Sequence, residues 1–208
     1  MNICTKMKDA VFAEFCRTHF DMDGDGVVSP GEAAAVKEIK CPNLGIASLE
    51  GIEEFPNVEV LDVSGNPLGQ LDVSPLTKLK TLVCEDCSLT SLSFPTAVIG
   101  LYCAMNNLFS LDLSQCANLR YLCCYRNSLA EIELTGTKWD AVRPGSLMPF
   151  GSPVDALVNG VKYDEYFKQN RDVKIYATEK QITEIYKYIV HYINDPVWDY
   201  KTEYLTKG

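Results

Sequence analysis

Apolar residues return along this chain at intervals set by a template. Val58-Glu-Val-Leu61-Asp-Val63-Ser-Gly-Asn66-Pro-Leu68 aligns with residues 79–89, 98–108 and 119–129 to give L-x-x-L-x-[VC]-x-x-[NC]-x-L. The copies start at 58, 79, 98 and 119, so successive starts are 21, 19 and 21 residues apart. A degenerate fifth copy runs through Val36, Ile39, Cys41, Leu44 and Ile46. The four clear copies are each followed by a second apolar pair: Leu71/Val73, Leu92/Phe94, Leu111/Leu113 and Ile132/Leu134. One unit of this length cannot bury its apolar side alone. Stacked copies can, and they predict short parallel strands around one continuous core.

Outside residues 36–137 the pattern changes. Val11, Phe12, Phe15 and Cys16 fall at helical spacing and predict a helix, and Glu32 to Glu38 suits a short second one. From Lys138 the repeat phase is lost, and Pro144, Gly145, Pro149, Gly151 and Pro153 mark a loop-rich joint. Beyond it, Ala156 to Tyr163 around Asn159-Gly160 reads as a hairpin and Asp172 to Ala177 as a strand. Thr178 and Gln181 form a capping-box pair that opens a helix with Ile182, Ile185, Tyr186, Ile189 and Ile193 on one face. That stripe is expected to close the open end of the repeat core rather than to bind a separate partner, with the helix ending before Pro196 and His191 on its surface. Three parts follow: residues 1–35, the repeats at 36–137, and a small α+β cap at 138–208.

The repeated template resembles the leucine-rich repeat family, whose own signature is L-x-x-L-x-L-x-x-[NC]-x-L, and the copies are internalin-like. The resemblance implies an α/β solenoid with parallel strands on its concave face. It also implies that Asn66, Asn106 and Asn127 bond neighbouring backbones in a ladder, with Cys87 as the tolerated substitute and Leu44 breaking the series. The cysteines admit sharper readings, because Cys84-x-x-Cys87 with Cys103, Cys116, Cys123 and Cys124 downstream has zinc-like spacing. Yet Cys41, Cys84, Cys103 and Cys124 share one inward repeat position, held by Val63 in the remaining copy, and a small buried hydrophobe accounts for all four. Disulfides fit less well. In-register neighbours on parallel strands stand about 4.8 Å apart, beyond the ~3.5–4.5 Å that Cβ atoms of a relaxed bridge prefer.

The densest chemistry lies before the repeats, in Asp21-Met-Asp23-Gly-Asp25-Gly26-Val27-Val28-Ser29-Pro-Gly-Glu32. Calcium takes six to eight hard oxygens, and carboxylates at loop positions 1, 3, 5 and 12, a carbonyl at 7 and an oxygen at 9 supply them. Those positions are Asp21, Asp23, Asp25, Glu32, the Val27 carbonyl and Ser29, with Gly26 at the sharp turn and Val28 as an apolar anchor. The loop resembles an EF-hand. An acidic surface turn without metal is the alternative, against which stands the mutual repulsion of four close carboxylates. A lone hand of this kind suits a structural brace better than a sensor.

Charge sharpens the division. The chain carries −9 overall; residues 1–137 hold nine Lys+Arg against eighteen Asp+Glu, and residues 138–208 hold ten of each. An acidic surface repels phosphate backbones, so nucleic acid and anionic membranes are poor partners and divalent cations good ones. With 23% charged residues and no apolar run near the ~20 that a bilayer span needs, neither disorder nor membrane insertion is expected. No signal peptide is recognised in residues 1–20, which already carry Lys6, Lys8, Asp9, Glu14 and Arg17.

Leucine-rich repeat proteins commonly bind ligands, often proteins, on the concave face, so the resemblance directs attention to the outward strand positions. There Tyr102, Tyr121 and Tyr125, with Arg126 at the edge, form an aromatic end, and Glu85 and Asp62 lie toward the other. Tyr and Arg are common recognition anchors, and tyrosines also stack on sugars, which makes a protein ligand the first expectation and a glycan the second. The competing expectation is a scaffold whose concave face is covered by the C-terminal piece. An enzyme is not expected: His19 and His191 leave no triad, Cys123 has no evident base, and no phosphate loop or H-E-x-x-H occurs. A single calcium loop before such repeats resembles bacterial secreted or cell-surface proteins, and implies an extracytoplasmic location.

Overall fold

The computed structural model describes residues 2–124, 126–138, 147–148, 174–181 and 204–205. Two helices come first, α1 (Ala10–Phe20) and α2 (Pro30–Ala35). Short strands follow: β1 (Glu38–Lys40), β2 (Val60–Asp62), β3 (Gln70–Asp72), β4 (Thr81–Val83), β5 (Ser91–Ser93), β6 (Gly100–Tyr102), β7 (Tyr121–Cys123) and β8 (Glu131–Glu133). Three short strands complete the described chain: β9 (Leu147–Met148), β10 (Lys174–Tyr176) and β11 (Tyr204–Leu205).

The main sheet has the order β1-β2-β4-β6-β7-β9, with every pairing parallel. Its register is the sequence template made physical: Ile39, Leu61, Leu82, Leu101 and Leu122 pair in one inward column. The next inward column holds Cys41, Val63, Cys84, Cys103 and Cys124, all buried. All nine cysteines are free and buried. Burial pushes the Cys41 and Cys124 thiols up to about 12, and those of Cys84 and Cys103 well above the ordinary range. They pack as protonated, apolar core side chains.

The asparagine ladder also forms. Asn66 Oδ1 accepts from Leu44 N (3.1 Å) and Ile46 N (3.0 Å), while its Nδ2 donates to the carbonyls of Cys41 and Val63, each at 2.8 Å. Asn106 and Asn127 repeat this two and three copies later. Although Leu44 supplies no ladder amide and is exposed, its backbone N–H is satisfied from the next turn.

At the N-terminus, α1 packs on the first turn because Phe12, Ala13 and Cys16 are buried against it. Val11, expected inside, is 44% exposed, and Ala13 takes the inward place. Asp9 caps the helix through Oδ1, which accepts from Val11 N (2.8 Å) and Phe12 N (2.9 Å); its Oδ2 accepts from Ala47 N at 2.8 Å and so ties helix to repeat. The second helix is shorter than expected. It stops at Ala35, because Val36 is already extended and the Lys37 carbonyl accepts from Glu59 N and Val60 N of the neighbouring turn. Glu38 therefore belongs to β1.

The second segments of the repeats form smaller sheets, β3 with β5, and β11-β10-β8. The intervening segment buries Leu111 and Leu113 but is not a strand. The arch from Leu92 to Val98 is two residues shorter than that from Leu71 to Leu79. Past Thr137 the parallel pairing goes on: β9 aligns Met148 with Cys123 of β7, and β10 aligns Ile175 with Ile132 of β8. Thr178 and Gln181 exchange both capping bonds, at 2.9 and 3.2 Å, and Gln181 Nε2 reaches the Leu134 carbonyl at 3.0 Å. The expected hairpin around Asn159-Gly160, the helical stripe from Ile182 to Ile193, and His191 lie outside the described residues. Among the described residues no helix is long and apolar enough to cross a membrane.

One backbone position joins the N-terminal segment to the repeats. Gly51 has φ +98°, and a Cβ there would stand 2.8 Å from Met7 Cγ and 3.2 Å from the Met7 backbone. Gly51→Ala combines left-handed strain with a clash against main chain. It should cost roughly 2–3 kcal/mol in urea unfolding. A variant as stable as the parent would show that the Met7 contact is slack.

Candidate functional site

The concave face is built from strand residues that alternate with the buried columns. Register places Glu38, Val60, Thr81, Gly100 and Tyr121 in one outward row and Lys40, Asp62, Val83, Tyr102 and Cys123 in the next. The third row follows each strand by two residues and includes Ser64, Glu85 and Ala104.

Small residues shape its C-terminal half. Gly100 leaves room that the Tyr102 ring occupies: a Cβ on Gly100 would meet Tyr102 Cε2 at 3.2 Å. The ring thus leans along its own strand toward Tyr121, the register partner of Gly100. Glu85 reaches across the turn that holds Tyr102 and Ala104, and its Oε1 accepts from Cys123 Sγ at 3.4 Å. Burial raises the Tyr102 phenol above its ordinary range, with Cys123, Tyr121 and Glu85 adding to the rise. Glu85, Tyr102, Tyr121 and Cys123 therefore make one cluster. Asp62 lies two strands away toward the N-terminus, where its Oδ1 accepts from Ser64 N at 3.1 Å. Arg126 stands at the rim with φ +52°, its carbonyl accepting from Asn106 N. Tyr125 lies outside the described residues.

The sequence shows no evident base for Cys123. The residue is only 7% exposed, held under the Glu85 carboxylate. The signal available was the pair of small residues, Gly100 and Ala104, in rows otherwise filled by larger side chains. Such gaps invite longer neighbours to fold in.

The second candidate is the loop between α1 and α2. Carboxylate oxygens of Asp21, Asp23 and Asp25 lie within 4.8 Å of one another, and among the described residues this is the group of acidic, His or Cys side chains that could hold a metal. The loop is wound around its own carboxylates. Asp21 accepts from Gly24 N and Gly26 N, both at 2.8 Å, Asp23 from Asp25 N at 3.1 Å, and Asp25 from Val27 N at 2.9 Å. Gly26, with φ +87°, makes the turn that aims these amides inward. Glu32 joins the two ends: Oε1 accepts from Met22 N (2.7 Å), and Oε2 from Ser29 N and Ser29 Oγ, each at 2.8 Å. Those bonds from Ser29 and Met22 hold the Glu32 carboxyl down to about 2, so it is ionised throughout the physiological range. Hard oxygens only, three converging carboxylates and a fourth at position 12 are a donor set that suits calcium.

Comparison with known proteins settles the architecture. The functional domain of InlJ from Listeria monocytogenes, described as including a cysteine ladder, superposes with a TM-score of 0.61 at 31% sequence identity. The fold is an internalin-type leucine-rich repeat solenoid. The match covers 65% of this chain and 31% of the InlJ chain, so this sequence corresponds to about a third of that structure. An internalin from the same species, InlF, aligns over 88% of this chain and 61% of its own at 20% identity and a TM-score of 0.43. No protein-family model and no curated protein matches the sequence.

Proposed function

We propose that this chain is a non-catalytic recognition module that binds a protein segment on its concave face, with calcium bracing the loop before the repeats. The observation that carries the reading is the cluster of Tyr102, Tyr121 and Glu85 on an otherwise regular strand array. Tyrosines half-buried against a rigid sheet are pre-ordered, so a partner gains their contact area at little entropic cost. The likeness to a domain of InlJ supports an interaction role and an extracytoplasmic site.

The Cys123 thiol is hydrogen-bonded to a carboxylate, and His19 is committed to α1, its Nδ1 2.8 Å from the Phe15 carbonyl and its ring stacked on Phe15. Calcium would be held by Asp21, Asp23, Asp25, Glu32, the Val27 carbonyl and Ser29. When bound, it neutralises carboxylates that otherwise repel. The loop transmits that effect, because Val28 is buried in the core and its carbonyl accepts from Ile3 N at 2.9 Å.

Panning the full chain against a displayed library of random dodecapeptides tests the recognition reading. Enriched peptides should lose about tenfold or more in affinity to the Tyr102→Ala, Tyr121→Ala double variant, while its melting temperature stays within roughly 3 °C of the parent. Undiminished binding would sink the concave-face assignment. A large fall in stability would instead favour the second reading, a structural element whose C-terminal chain packs over the tyrosines. The pairing of β9 with β7, beside Cys123, is the observation that keeps that reading in play.

A further inference from the structure

We propose that the aromatic end of the concave face selects cationic segments, the Lys or Arg side chains of a partner protein, an inference that rests on the recognition reading above. Gly100 lets the Tyr102 ring settle against the strand, with Cε2 3.2 Å from the place a Cβ would take. The ring stays partly exposed. Glu85 brings its carboxylate across the same turn to 3.4 Å from Cys123 Sγ, and Cys123 is the register partner of Tyr102. An aromatic ring and a carboxylate thus lie side by side.

That pairing discriminates between classes of ligand. A guanidinium or ammonium is attracted by the ring quadrupole and donates charge-assisted hydrogen bonds to the carboxylate. A neutral sugar gains stacking and ordinary hydrogen bonds only, and an acidic side chain meets repulsion. Asp62, in the same row as Tyr102, adds a second negative charge two strands away. The cation in that row, Lys40, is already engaged with Glu38 at 2.5 Å. Residues 1–137 carry eighteen acidic against nine basic side chains, a field that draws cationic segments toward this half of the chain.

Three probes separate the outcomes on the full chain: a fluorescent dodecapeptide of alternating Arg and Ser, its Glu-for-Arg counterpart, and maltoheptaose. At 150 mM salt, where attraction between distant charges is largely screened, the Arg peptide should bind and the Glu peptide should not. Glu85→Gln and Tyr102→Ala should each weaken the Arg peptide about tenfold, whereas Asp112→Asn, an exposed acid on the far side of the turn, should change it less than about twofold. Tyr102→Leu, which keeps most of the packing, serves if the alanine variant is unstable. Failure of the Arg peptide to bind, or an equal loss with Asp112→Asn, overturns the cation preference. So does tighter binding of the Glu peptide or maltoheptaose; if Tyr102→Leu then removes that binding, the recognition face stands and only its charge preference falls. Indifference of every probe to every concave variant would remove both.

Discussion

Asn106→Ala is expected to destabilise the protein by about 3–5 kcal/mol, more than any other single polar replacement in the repeats. Asn106 Oδ1 accepts from Cys87 N (3.0 Å) and Leu89 N (2.9 Å), and Nδ2 donates to the carbonyls of Cys84 (2.8 Å), Cys103 (3.0 Å) and Ala104 (3.1 Å). Alanine leaves two buried N–H groups with no acceptor, each costing about 1–3 kcal/mol, and removes donors from three carbonyls besides. The bonds join consecutive turns, so the damage is to stacking rather than to one turn. Equilibrium unfolding in urea reads it directly, and a loss below about 1 kcal/mol would mean that water or a backbone shift replaces the amide.

Cys87 supplies the contrast within the same ladder. Its Sγ donates to the Val63 carbonyl at 3.2 Å, as a ladder amide would, but sulfur is a weak acceptor. Leu68 N, whose counterparts Leu89 and Leu108 bond to asparagine, turns instead to the Asn66 carbonyl at 2.8 Å. Cys87→Asn should therefore gain about 0.5–1.5 kcal/mol, the ordinary worth of restored hydrogen bonds. Opposite signs at two positions of one motif would fix the ladder as the source of both effects.

How much of this was legible in the sequence depends on how local each cause is. The inward columns were readable, because period, burial and residue type agree at Leu61, Leu82, Leu101 and Leu122, and the same register sorted four cysteines into the core. Where one position carries two meanings the reading slipped. Val11 fits a helical stripe as well as Ala13 does, and only the approach of the first turn decides which is inside. Glu38 continues a helix by composition but a strand by pairing, and the bond from Val60 N to the Lys37 carbonyl resolves it. Parallel pairing at Leu147–Met148 and Lys174–Tyr176 was least legible of all. Those strands are two and three residues long, and their partners lie more than twenty residues back in the chain. At the concave site the side chains were foreseeable and their arrangement was not, because the lean of Tyr102 and the reach of Glu85 follow from neighbours too small to hold them off.

Calcium should raise the melting temperature of the full chain, and chelator should lower it again. Sites of this kind in extracellular modules have Kd values of about 10⁻⁴–10⁻³ M. At 10 mM calcium the ion is then about 10- to 100-fold above Kd, and mass action adds roughly 1.4–2.7 kcal/mol, or about 3–10 °C for a chain of this size. The effect must reach the global transition rather than a local one, because Val28 in the loop is part of the core and Asp9 ties α1 to the first repeat through Ala47. Asp23→Asn with Asp25→Asn is the sharper control. Asparagine keeps the side-chain oxygens that accept from Asp25 N and Val27 N, so the loop can wind as before while it loses two negative charges. The double variant should melt at or slightly above the parent in chelator, since repulsion is relieved, and should show no rise with calcium. If parent and variant respond alike, the ion acts elsewhere on the acidic surface. If neither responds, the carboxylates of this loop are held by their amides alone, and the brace must be abandoned.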